Sequence, residues 1–248
     1  MLASTTSVEA SGLLANILPR FTAKTGITVN VVAQGTGKAL DTARRGDADL
    51  LLVHDPEAEQ QFMDEGHGLT RRQIAWNDFI IVGPSADPAH VKGGSDSVAA
   101  LKAIASTQAP FVSRGDKSGT SAAELRLWKV AGQTPEVLSK EKWYRDIGGG
   151  MGQALNAASA MDAYTLSDRG TWLSFNNKRS LVVAIEGDPR LLNRYDVIEL
   201  NPEKHAGAKL SAAKEFADWL LSPEGQQTIG AYQVNGQKLF NPSGGLPK

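Results

Sequence analysis

Ser113-Arg114-Gly115-Asp116-Lys117-Ser118-Gly119-Thr120 is the stretch on which the reading of this chain turns. Apolar Pro110-Phe111-Val112 runs into it as a strand, and a helical pattern over 122–131 runs out of it. Strand, polar turn and helix in succession form the unit from which α/β folds are built. That order also sets the first unpaired N–H groups of a helix beside two hydroxyls, Ser118 and Thr120. A helix N-terminus carries about half a positive charge, so it suits an anion. Arg114, at the strand end, can bring a planar fork of donors to the same point. Gly119 lets the backbone approach a bound group, because no Cβ intervenes. The residues allow two readings. One is an oxyanion cradle; the other is a helix cap, with Ser118 as N-cap and Arg114 in a surface ion pair.

The same alternation extends in both directions. Upstream, Leu13, Leu14, Ile17, Leu18 and Phe21 follow Ser11 at helical spacing and stop at Gly26, with Pro19 predicting a kink or break. A β-branched run over 27–32 reads as a strand, and Gln34-Gly35-Thr36-Gly37 as a turn opening a helix over 38–45. Residues 50–53 form a short, wholly apolar strand, as expected where helices cover both faces. Pro56 opens a helix reaching 65, before Gly66. A strand over 78–84 leads into a Ser/Asp/Pro/Gly loop through 95, the first candidate domain boundary. A helix over 98–106 then precedes the quoted stretch. Downstream, Trp143-Tyr144 reads as strand, and Gly148-Gly149-Gly150-Met151-Gly152 opens a helix over 153–159. A strand over 162–166 follows, and Ser167-Asp168 caps a helix over 169–175. Strands over 181–185 and 195–200 and helices over 211–221 and 224–232 complete the chain, with no internal sequence repeat. Two mainly parallel sheets of about five strands suit this inventory better than one of ten. Ligands of open parallel sheets bind beyond the carboxyl ends of the strands. Ser4–Ser7, 35–37 and 114–120 occupy that position, and 148–152 opens a helix in the same way. Four loops rich in Gly, Ser and Thr favour the cradle over four unrelated caps.

At 248 residues the chain can bury a sizeable core in one large or two medium domains. Hydrophobic content of 41% and charged content of 21% fit a soluble globular protein. A net charge of −1 argues against nucleic acid or an anionic membrane as partner, since Arg44-Arg45 and Arg71-Arg72 are too short to form a binding stripe. The absence of cysteine excludes disulfides, thiolate metal sites and cysteine nucleophiles. Polar Ser4-Thr5-Thr6-Ser7 follows Met1-Leu2-Ala3 at once, so no signal peptide is visible. The chain is then cytoplasmic or begins at a mature start.

Several motifs fail on inspection. Gly37-Lys38 suggests a P-loop, but Val32 stands where the first glycine belongs and Ala39 where Ser or Thr would bind magnesium. Gln153 replaces the final glycine of a dinucleotide fingerprint over 148–152. The serine of 115–119 is displaced by one position from a nucleophile elbow. His54, His67, His90 and His205 show no paired spacing for a metal, and Arg-Gly-Asp at 45–47 and 114–116 reads as chance turn usage. His54-Asp55 could be a base and its orienter, or a loop histidine bonded to backbone. The tryptophans, among them Trp128, Trp143, Trp172 and Trp219, read as packing residues.

On these residues the chain resembles the periplasmic tungstate-binding proteins of ABC importers, the TupA family. The resemblance rests on Ser4-Thr5-Thr6-Ser7, Gly35-Thr36-Gly37, Arg45-Gly46-Asp47-Ala48-Asp49, Leu51-Leu52-Val53-His54 and Asn77-Asp78-Phe79. It continues through Ser113-Arg114-Gly115-Asp116, Ser118-Gly119-Thr120, Met151-Gly152, the run from Ala163 to Trp172, and Ser222-Pro223-Glu224-Gly225-Gln226. It implies a type II periplasmic-binding-protein fold: two α/β lobes joined by crossover strands, with the ligand cleft between them. The lobes would be 1–83 plus 197–248, and 84–196. By the same resemblance Thr5, Thr6 and Thr36 would hold the ligand from the first lobe, and Arg114, Ser118, Gly119 and Thr120 from the second. Met151 and Thr165 follow as second-rank candidates. The family's loop begins Thr-Thr-Thr-Ser, and Ser4 keeps the hydroxyl at its first position.

The resemblance implies a monomeric, extracytoplasmic, non-enzymatic protein that needs no cofactor. It would capture tungstate or molybdate and deliver it to a membrane permease. Arg-x-x-x-Ser-Gly-Thr also resembles phosphate-binding proteins of this fold, which use a buried carboxylate to accept the proton of hydrogen phosphate. A site made only of donors would reject phosphate by leaving its O–H unpaired, so the places of Asp47, Asp49 and Asp55 discriminate. Phosphate or sulfate capture is therefore the alternative within binding proteins. A deaminase or phosphate-ester hydrolase using His54-Asp55 is the alternative among enzymes. A ligand-sensing half of a transcription regulator would need a DNA-binding segment not seen here.

Overall fold

A computed structural model describes residues 1–116 and 118–243; Lys117 of the quoted stretch and 244–248 of the expected first lobe lie outside the described residues. The chain starts with β1 (Leu2–Thr5), α1 (Thr6–Ala10), α2 (Leu13–Thr25), β2 (Val31–Gln34), α3 (Thr36–Arg44) and β3 (Leu50–Val53). It continues with α4 (Pro56–Asp64), β4 (Gly68–Pro84), α5 (Ser97–Thr107), β5 (Phe111–Ser113), α6 (Gly119–Val130) and α7 (Pro135–Leu138). Next come β6 (Tyr144–Asp146), α8 (Met151–Met161), β7 (Tyr164–Asp168), α9 (Arg169–Ser174), β8 (Leu181–Ile185) and β9 (Leu192–Leu200). The last elements are α10 (Leu210–Leu221), α11 (Pro223–Ala231), the pair β10 (Gln233–Val234) and β11 (Gln237–Lys238), and β12 (Asn241–Pro242).

Two compact units result: Met1–Trp76 with the described part of Arg194–Lys248, and Asn77–Asn193. The chain passes from one to the other twice, within β4 and within β9. In the first unit β1 lies between β2 and β3, parallel to both, and β9 runs antiparallel to β3. Successive strand residues supply opposite faces, as the pleat requires. Leu2, Leu50, Leu52 and Val197 enter one apolar cluster with Phe21, Phe216 and Trp219. Ala3, Leu51, Val53 and Ile198 enter another with Leu40 and Phe62. This is why 50–53 is apolar throughout. Each such side chain contributes roughly 1.5–3 kcal/mol on full burial.

The second unit repeats the plan. β5 lies between β6 and β7, parallel to both, and β7 runs antiparallel to β4, which also pairs with β8. Phe79, Ile81, Phe111 and Leu166 face one cluster, and Ile80, Val82 and Val112 the other. In each unit the first of three parallel strands lies between the other two, β1 between β2 and β3 and β5 between β6 and β7. Strand order reverses at the centre, which makes the carboxyl ends of β1 and β5 the switch points where such sheets take ligands.

Several sequence expectations need correction. Pro19 does not break α2, which is continuous from Leu13 to Thr25. Pro19 and Ala15 are both exposed, so the carbonyl deprived of its partner faces water. The strand expected over 27–32 forms at Val31–Gln34, where pairing with β1 sets its register, while Ile27 and Val29 pack against the core. Ser4 and Thr5 belong to β1, and Thr6 and Ser7 to α1, instead of forming a loop. β4 starts ten residues earlier than 78. Its first half opens on polar residues held by ion pairs, Arg71 with Asp196 and Arg72 with Glu199 (both 2.7 Å), before Ile74 and Ala75 enter the core.

Candidate oxyanion-binding site

In the first unit the switch point is built from three strand ends. Thr5 closes β1 beside Gln34 of β2, and Ser4 lies opposite Leu52 of β3. Thr5 is buried and N-caps α1, its Oγ1 accepting from the Val8 N–H at 3.2 Å. The cap uses a lone pair and leaves the hydroxyl hydrogen to donate. Thr6 is exposed. Ser4 is spent on structure, donating to the Leu52 carbonyl at 2.9 Å. Thr36 is the first residue of α3, after Gly35, which offers no side-chain cap. Its Oγ1 is buried without a partner among the described residues. Beyond β3, His54 Nε2 is 3.2 Å from Ser7 Oγ, and its ring stacks on Tyr195 at 5.0 Å.

In the second unit Arg114 follows the last residue of β5 and is 7% exposed, so it does not sit in a surface ion pair as the helix-cap reading has it. One guanidinium nitrogen, Nη2, pairs with the Asp116 carboxylate, while Nε is buried without a partner among the described residues. Asp116 also accepts from the Ser118 N–H at 3.2 Å. Burial pushes the Asp116 carboxyl up, but Ser118 and the Arg114 guanidinium outweigh it and hold it below the usual carboxylate range. Ser118 N-caps α6, accepting from Ser121 N–H at 3.2 Å. Gly119 and Thr120 are its first residues, and Thr120 Oγ1 is buried with no partner among the described residues.

The glycine loop joins the same edge. Ile147 N–H donates to the Ser113 carbonyl (3.1 Å) and Gly149 N–H to that of Arg114 (2.9 Å). Gly115 has a φ of +60°, and a Cβ there would lie 1.5 Å from Asp146 Oδ1, so any other residue would strain the backbone and displace Asp146. Met151 starts α8 after Gly150, but its side chain is buried with Val112, Ala154 and Leu155. Only its backbone N–H is available to a ligand. Thr165 is buried on β7, its hydroxyl directed at the Leu166 carbonyl at 3.5 Å.

The carboxylates separate clearly. Asp47 is exposed and pairs with Arg45. Asp49 precedes β3, at the opposite end of the strand from His54, and accepts from Lys209 N–H at 2.8 Å. Asp55 is buried and N-caps α4. Asp116, bound to Arg114, is the functional-edge residue that sequence reasoning left unassigned; an Asp two positions after an Arg at a strand end was the available signal. His67 and His205, which share no sequence spacing, meet in space, with Nδ1 and Nε2 3.1 Å apart across 138 residues of sequence. Among the described residues no three His, Asp or Glu side chains converge as a metal site.

Both units thus form α/β layers with donor-rich strand ends, the architecture of a solute-binding protein. Residues 1–224 match the model of the PBP superfamily domain. The tungstate-binding protein TupA of Peptoclostridium acidaminophilum is 45% identical over 247 residues, 98% of this chain and 85% of that one. A solved tungstate-binding TupA from Desulfovibrio alaskensis G20 superposes with a TM-score of 0.89 at 44% identity, covering 98% of this chain and 97% of that one. The tungstate ABC transporter structure from Geobacter sulfurreducens gives 0.81 at 41%, covering 93% and 97%. The chain belongs to the PBP superfamily and, within it, to the TupA family, with a type II periplasmic-binding-protein fold.

Proposed function

We propose that this protein captures tungstate as a fully deprotonated dianion and delivers it to the permease of an ABC importer. The observation that carries the reading is the set of buried donors without acceptors at the two switch points. Arg114 Nε, Thr120 Oγ1 and Thr36 Oγ1 are buried there without a partner among the described residues. Native proteins leave few such atoms unpaired, and a donor so placed suits a ligand oxygen. Thr5, Thr6, Ser118 and the first N–H groups at Gly119 and Met151 complete the proposed donor set. Each charge-assisted bond to the anion is worth roughly 1.5–3 kcal/mol and replaces part of its hydration shell.

The names of the relatives support tungstate as cargo and binding without turnover. His54, braced on Tyr195, then serves to hold Ser7 instead of acting as a base. We further propose an extracytoplasmic monomer needing no cofactor. Among the described residues no helix is long and apolar enough to cross a membrane. Asp47 and Asp49 lie away from the donor-bearing strand ends, but buried Asp55 follows His54 beyond β3 and Asp116 binds Arg114, so the choice of tungstate over hydrogen phosphate rests on the relatives.

A thermal-shift series with tungstate, molybdate, sulfate and phosphate at equal concentration tests the reading. Ligand binding to the native state alone stabilises by about 4 kcal/mol at a thousandfold excess over Kd. A large shift with tungstate and little with phosphate is expected. A shift with phosphate alone would move the assignment to phosphate capture, and no shift at all would return the donors to helix capping.

A further inference from the structure

Below the donors of the second unit lies a buried acid with no part in the proposed contacts. Glu124 stands on α6 four residues after Thr120, one helical turn on, and is 2% exposed. Its carboxyl is bonded to the Tyr144 hydroxyl of β6 at 2.7 Å. It also faces the Ser113 hydroxyl of β5 and the Trp128 indole of its own helix. The charged group that faces it is the Asp146 carboxylate at the end of β6, of its own sign. α5 and β7 pack on α6 through the apolar cluster of Leu101, Ile104, Leu166 and the Tyr164 ring, whose hydroxyl is bonded to Asp87. Burial pushes the Glu124 carboxyl up to about 7. Ser113 directly precedes Arg114, so this network ends one residue before the side chain that anchors the proposed anion.

We propose that Glu124 takes up a proton when the anion binds, so that capture of a dianion is coupled to protonation of an acid buried one turn beneath its donors. The inference rests on the anion-binding reading above. A bound dianion repels a nearby carboxylate and tolerates the neutral acid, so the protonated protein binds more tightly. Linkage then requires affinity to fall as Glu124 ionises, by up to tenfold per pH unit above about 7.

Calorimetry of tungstate binding from pH 6 to 9, repeated near pH 7.5 in two buffers of different ionisation enthalpy, tests this. The wild-type protein should bind at least about tenfold more weakly at pH 8.5 than at pH 6.5 and take up a fraction of a proton near pH 7.5. Glu124→Gln should retain binding with a flatter pH profile and less uptake, which separates Glu124 from any other titrating group such as His54. If that variant does not fold, Tyr144→Phe, which removes the hydrogen bond to the Glu124 carboxyl, should move the pH at which affinity and uptake change upward, and an unmoved profile would overturn the inference. Affinity independent of pH, absent uptake, or unchanged uptake in Glu124→Gln would overturn the inference and leave anion capture standing. Failure of every oxyanion to bind at any pH would overturn both.

Discussion

Arg114 is bound by Asp116 through Nη2 and keeps Nε for another acceptor, so a single side chain is both oriented and available. Arg114→Ala should weaken tungstate binding by at least ~2 kcal/mol, since a buried dianion would lose its formal countercharge. Calorimetry showing unchanged affinity would remove Arg114 from the site. Thr120→Val and Thr36→Val each delete a buried donor at little change in volume and should weaken binding by about 1 kcal/mol, roughly fivefold. The residue types were readable from the chain, because Arg, Ser, Thr and Gly at a strand–helix turn announce donors. The partner of each group was not. Ser4 and Ser118 look alike in sequence, yet one bonds the Leu52 carbonyl and the other caps α6. Only tertiary neighbours separate those roles.

At the scale of the element, the turn after β5 depends on Gly115. Gly115→Ala combines a left-handed backbone with a Cβ driven into Asp146, whose Oδ1 also accepts from Gly148 N–H at 2.9 Å. We expect a loss of about 1–3 kcal/mol in chemical denaturation; an unchanged midpoint would show that the 146–148 turn yields freely. Elements that bury both faces, β3 and the second half of β4, were plain in the sequence as apolar runs. The first half of β4 was not, because Arg71 and Arg72 are stabilised there by Asp196 and Glu199, more than a hundred residues away. Pro19 left a kink or a break open, and the exposed face of α2 it occupies lets the helix run on. The repeated strand order of the two units left no sequence repeat, because topology constrains where side chains point and not which ones they are.

Across the whole molecule, stability carries a pH dependence from one buried pair. Glu59 is 1% exposed and lies against Asp196, with Arg71 Nη2 2.8 Å away. Burial and then the neighbouring Asp196 raise the Glu59 carboxyl above its ordinary range. The folded chain therefore binds more protons than the unfolded one, and this contribution is full at acid pH and lost as pH rises through the raised value. Glu59→Gln should match the parent near pH 5 and exceed it near pH 9 in urea denaturation; parallel curves would exclude the pair as the source. The two crossings of the chain have a different bearing. The second unit is one continuous segment, Asn77–Asn193, and its two end residues are joined by a 2.9 Å bond between their side chains. The first unit draws its core from both ends of the chain, with Leu14 and Phe21 against Phe216, Trp219 and Phe240. On the ribosome, the cluster that β1 and β3 form with Leu14 and Phe21 must therefore wait for Val197, Phe216 and Trp219 before it is closed. The half of the protein begun second is the first that can be finished.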